Sequence, residues 1–266
     1  MGLWPPLVWG FVSAALVLIL TSGIWKGSTR GGAVHLAGGG LVPIVLLAAH
    51  YGLKQRLPLF PPREALDWTL LAAVLAVFVP DLWAGRTLRR LVVWGILLLL
   101  LCYAILRPRI GQLEPGAAAA LFMGAWAFWL FASVQIEPTS PGLLEGMLVV
   151  TMGAAGCLAH SYVGAALIAG GLCFAVGGVL VLGRLGLGTS PTVWLLAPWL
   201  IAVGGLVLSG VAYGELGALS AQALALAVFA AGGLRGGPPG WGATRLGSLM
   251  PVILLVVGAN VLARPT

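Results

Sequence analysis

With 266 residues, 60% of them hydrophobic and 8% charged, and a mean hydropathy of +1.06, the chain lies outside the range of soluble domains, which excludes a water-soluble enzyme or carrier. The net charge of +7 comes from 14 basic residues scattered over short connections rather than gathered on one face, which excludes nucleic-acid binding. Cys102, Cys157 and Cys173 all fall inside apolar runs without metal-ligand spacing, so no zinc site, disulfide framework or other cofactor is expected.

Apolar runs of about 20 residues, enough for a helix to cross roughly 30 Å of hydrocarbon, recur from end to end. The first, residues 7–24, lacks a basic n-region and a small-residue cleavage site, and reads as a retained helix. The second, residues 33–53, contains AGGGLVP: Gly38, Gly39 and Gly40 weaken a helix, and Pro43 removes a backbone donor. A break here would expose backbone groups that only neighbouring protein or a polar cavity can satisfy, so these four residues are candidate substrate-binding positions. Close packing through small residues is the competing use. His35 and His50 flank the run about 22 Å apart along a helix, too far to share a haem iron, and are expected to anchor its ends.

The proline-rich LPLFPPREALD, residues 57–67, is a stiff connector in which Asp67 is placed to cap the next helix. That helix, residues 68–84, carries Asp81 beside Pro80. A carboxylate within an apolar run is costly unless paired, hydrated or protonated, which makes Asp81 the first candidate for a proton-linked step, with pairing to Arg86 or Arg89 as its structural alternative. Runs at residues 91–106 and 117–134 follow.

Residues 142–182 would extend about 61 Å as one helix, twice the hydrocarbon thickness, so they must reverse. The reversal falls at His160, Ser161 and Tyr162, dividing runs 143–159 and 162–182. The trio is therefore read as a turn, because neighbouring helical residues point about 100° apart and no acid accompanies them. Glu145 is expected to interact with a helix N-terminus. The last runs are 192–213, 216–231 and 247–262, with Glu215 in the reversal between the first two. Gln222, Asn260, Ser209 and Ser220 are expected to hydrogen-bond between helices or line a path. Trp126, Trp129, Trp194 and Trp199 lie deep in their runs, in packing faces or an aromatic-lined cavity.

The sequence thus reads as an all-α, polytopic transmembrane bundle of about ten helices forming one domain, residues 1–266. Helix starts in residues 1–135 and 136–266 are offset by a nearly constant 124 to 136 residues, suggesting two inverted five-helix repeats. Gly40 then aligns with Gly170, and Gly170 and Gly171 become the partner site in the second half. The five-plus-five count resembles that of drug/metabolite transporters, a likeness of helix number alone. Basic residues divide eight to six in favour of an outside N-terminus, in what reads as a bacterial inner membrane.

Two functions are expected from this pattern. The first is a transporter or permease-like protein for a small organic or lipid-like solute. The second is a non-catalytic membrane subunit or scaffold that packs against membrane-protein partners through glycine-rich faces. An enzyme is disfavoured, because no acid, base and nucleophile can be assembled from these residues.

Overall fold

A backbone with neither water nor a sheet partner to bond satisfies its amides and carbonyls within a helix, and that is the outcome for this chain. The computed structural model describes residues 31–54, 56, 62, 64–77, 88–136, 142–184, 192–233 and 243–263. Among them are nine helices and no strand: α1 (Gly31–Lys54), α2 (Ala65–Val77), α3 (Leu88–Ile110), α4 (Pro115–Gln135), α5 (Leu143–Ala159), α6 (Val163–Arg184), α7 (Thr192–Ala212), α8 (Ala218–Gly232) and α9 (Ala243–Leu262). Three segments, Pro115–Ala132, Val163–Val181 and Leu195–Ala212, are long and apolar enough to cross a membrane by length and composition. The apolar run at residues 7–24 and Asp81 lie outside the described residues.

Among the described residues, short reversals join α3 to α4, α5 to α6 and α7 to α8, and contacts of Ser161 with Glu215 and of Arg109 with Tyr213 bring the three to one end of the bundle. His160, Ser161 and Tyr162 form the turn expected of them: the Ser161 and Tyr162 amides both donate to the Leu158 carbonyl, and α6 begins at the next residue. The α7–α8 reversal closes through Gly214, whose φ of 74° belongs to the left-handed region that favours glycine. There the amides of Glu215 and Leu216 both donate to the Gly210 carbonyl, satisfying an end of α7. The Ser161 hydroxyl donates to the Glu215 carbonyl and ties these two turns together.

Helix α7 is the axis of the fold. Of the residues in Leu195–Ala212, 83% are buried, against 11% in Pro115–Ala132 of α4. α7 packs against α1 and α2 most extensively, and α5 pairs with α6 while α8 pairs with α9. Glycines let these backbones approach closely. A Cβ on Gly205 would lie 2.6 Å from Thr69 of α2, and one on Gly153 would lie 2.5 Å from Val256 of α9. The Asn260 amide of α9 reinforces the latter contact, donating to the Gly153 carbonyl at 3.3 Å and to the Val256 carbonyl at 2.9 Å. Asn260 therefore has the interhelical role expected of it.

The expected break at residues 38–43 does not occur. α1 is helical from Gly31 to Lys54 with Pro43 inside it. Pro43 is buried, and Leu41, Val42, Val45 and Leu46 around it are at most 4% exposed. In such surroundings an unwound segment would leave several amides unbonded, whereas a continuous helix forgoes one hydrogen bond at the proline. Gly171 of α6 faces the same stretch, where a Cβ would lie 3.1 Å from Val45. Here glycine serves close packing between α1 and α6.

Candidate functional site

The end of the bundle that holds the tied turns also concentrates polar side chains. His50, one turn before the end of α1, and Asp67, in the first turn of α2, are 3% and 2% exposed. His50 Nε2 lies 2.9 Å from Asp67 Oδ1, a close electrostatic contact without hydrogen-bond alignment, and His50 Nδ1 has no partner among the described residues. The other Asp67 oxygen accepts the Glu64 amide at 3.4 Å, so Asp67 caps α2 as expected, but from inside the first turn of a helix that begins at Ala65 rather than at Trp68. Outside this pair, Glu64 receives Lys54 Nζ at 2.5 Å and Arg56 at 3.0 Å. The Lys54 hydrogen bond holds the Glu64 carboxyl below the usual carboxylate range. Burial, followed by the neighbouring Tyr213, Glu64 and Glu215, pushes the Tyr162 phenol up.

Asp67 thus does two jobs, and substitution separates them. Asp67→Ala is expected to cost about 1–3 kcal/mol, because it removes the cap and leaves His50 facing no acceptor. Asp67→Asn keeps an oxygen for the Glu64 amide and loses only the charge beside His50. Thermal unfolding in detergent distinguishes them: an asparagine variant as stable as wild type would show that the charge opposite His50 contributes nothing to folding.

A lateral groove of 520 Å³ opens between α4, α7 and α8. Small residues make its walls, since Ala117, Ala120 and Gly124 of α4 face Ala218, Ala221 and Ala225 of α8 across it. α7 forms the floor through Leu200, Val203, Gly204 and Val207. The indole of Trp129 lies against Gly204 and donates to the Leu200 carbonyl at 3.1 Å, so its polar atom is already used. Gln222 brings a side-chain amide to an otherwise apolar lining. Beyond the groove, Phe229 meets Phe128 and Phe131 edge-on, each with 5.5 Å between ring centroids, and joins α4 to α8 there. Toward the tied turns the lining runs out to Leu113 and Val211.

The residues singled out in the sequence fare unequally. Gly171 and the Pro43 region come together at the α1–α6 contact, a packed interface, while a Cβ on Gly40 would meet nothing within 4 Å. Gly170 is half-buried on α6, Gly38 and Gly39 lie within helical α1, and the groove uses none of these residues. Glu145 lies in the first turn of α5, as expected, and is 8% exposed. Glu215 lies in the α7–α8 reversal, also as expected. Of the deep tryptophans, Trp126 donates to the Gly95 carbonyl at 2.8 Å and Trp199 to the Thr151 hydroxyl at 2.8 Å, so both fasten helices together. Sequence reasoning missed the His50–Asp67 pair and the groove. The small-residue spacing of Ala117, Ala120 and Gly124 was the available signal for the groove. Among the described residues no group of three or more metal-ligating side chains occurs. Comparison of the chain with protein-family models, with curated proteins and with solved structures finds no match.

Proposed function

We propose that this chain is a multi-pass integral membrane protein of the transporter or permease kind, which takes an apolar or lipid-like solute into the groove between α4, α7 and α8. In this reading residues 7–24 add a tenth crossing, the membrane is a bacterial inner membrane, and the turns at Ser161 and Gly214 lie at its outer face. The apolar lining of the groove carries the proposal: a polar solute entering it would lose its water and find one side-chain amide, that of Gln222, in return. The exposed position of α4 supports a groove that opens sideways toward lipid rather than into water. Two inverted repeats form no part of this reading, because α1 packs along α7 while α6 has no comparable packing against α2.

Gly124 supplies the test, since it lines the groove and a Cβ there meets nothing within 4 Å, so a side chain can start from this position into the groove. In proteoliposomes the wild-type protein is expected to move a fluorescent short-chain lipid analogue between leaflets faster than empty vesicles allow. Gly124→Phe is expected to cut that rate by about tenfold, the effect of blocking a site whose binding contributes on the order of 1.4 kcal/mol. Equal rates in empty and wild-type vesicles would overturn the transport reading.

The scaffold reading keeps one observation in its favour. α1 is unbroken, and Ile44, Leu47 and Tyr51 form an exposed stripe along it, 38–44% accessible. A stoichiometric membrane partner that protects these three positions from labelling would favour it.

A further inference from the structure

Arg109, the penultimate residue of α3, reaches from the α3–α4 connection to Tyr213 in the α7–α8 reversal. Its guanidinium is 4.8 Å from the centroid of the Tyr213 ring and donates to Gln112 Oε1 at 2.5 Å. Leu113 and Val211, which line the groove, follow Gln112 and precede Tyr213 in the chain by one and two residues. Ring and amide thus fix the charge in place without neutralising it. Among the described residues no carboxylate lies within ion-pairing distance of Arg109, whereas Lys54 and Arg56 both serve Glu64. Glu114 and Glu215 border the same turns, the first exposed and the second half-buried, and neither pairs with it.

Building on the groove reading, we propose that the groove holds one acyl chain of an anionic membrane lipid, whose headgroup phosphate is bound by Arg109. Length supports this occupant. Along α4 the lining runs from Ala117 to Trp129, about 18 Å of helix rise, close to the depth of one leaflet in a hydrocarbon core of roughly 30 Å. Charge supports it as well, since a guanidinium held at the mouth of an apolar channel complements a phosphate carried on a chain. A soluble anion would bind Arg109 and leave the apolar groove unfilled. A neutral apolar solute would fill the groove and leave Arg109 without a counter-charge.

The test is native mass spectrometry of the full chain with phosphatidylglycerol and phosphatidylcholine of identical chains. Wild type is expected to retain phosphatidylglycerol about fivefold better, the preference that one well-placed basic side chain supplies. Arg109→Gln is expected to erase the preference, and Arg109→Lys to keep most of it, which separates charge from any effect on folding. Gly124→Phe is expected to lower retention of both lipids. A preference that survives Arg109→Gln would overturn the headgroup assignment while leaving the groove reading intact. Retention of both lipids unchanged by Gly124→Phe would overturn the groove reading itself, and this proposal with it.

Discussion

Trp199→Ala is expected to lower the stability of the bundle by about 3–5 kcal/mol, the range for truncating a large buried aromatic. Trp199 is 1% exposed and lies on α7, the axis that α1, α2 and α5 all pack against. Its indole also donates to the Thr151 hydroxyl at 2.8 Å, and that hydroxyl in turn donates to the Met147 carbonyl at 2.6 Å. The two contributions can be separated. Trp199→Phe removes the hydrogen bond but keeps most of the volume, and Thr151 still has Met147, so the phenylalanine variant is expected to lose only about 0.6 kcal/mol, the mean for such bonds between membrane helices. Denaturant unfolding in mixed micelles should therefore rank wild type and the phenylalanine variant together, well above the alanine variant. Equal losses in the two variants would show that the bond, rather than the packed volume, joins α5 to α7.

The reason volume should dominate also explains how much of this fold is legible in the sequence. Helix positions could be read because charged, proline and glycine residues punctuate long apolar runs. Residues 143–159 were expected as one helix and form α5 (Leu143–Ala159), and the reversal falls at His160 to Tyr162, where the length of the apolar stretch led it to be expected. Partner choice was not legible. In a soluble helix the apolar stripe marks the buried face, but α4, α7 and α8 are apolar on every side, so no periodic signal says which face meets protein. The groove depends on that missing information. So does the His50–Asp67 pair, which two helices and a proline-rich connector bring together from 17 positions apart. The break expected at Gly38 to Pro43 failed for a related reason: local propensity favoured unwinding, but burial of Leu41, Val42 and Val45 by neighbouring helices made a continuous backbone the less costly state.

The same dependence on close approach makes Gly204 the most sensitive position beside the groove. A Cβ there would overlap the indole of Trp129, which is 3% exposed and already bonded to the Leu200 carbonyl, so no flexible end exists to move aside. Gly204→Ala is expected to cost about 1–3 kcal/mol, the usual penalty for overpacking, and to place that cost on α4 rather than on the whole bundle. α4 is the helix least able to absorb it, with 11% of Pro115–Ala132 buried and the Trp126 hydrogen bond to Gly95 among its few fixed points. Hydrogen exchange should show α4 opening more readily in the variant while α5 and α6 keep wild-type protection. Gly124→Ala, on the same helix with open space at its Cβ, is the matched control and should stay within about 0.5 kcal/mol of wild type. If Gly204→Ala instead left α4 protection unchanged, Trp129 would not be the pin that holds α4 to α7, and the groove would have to be bounded by α8 contacts alone.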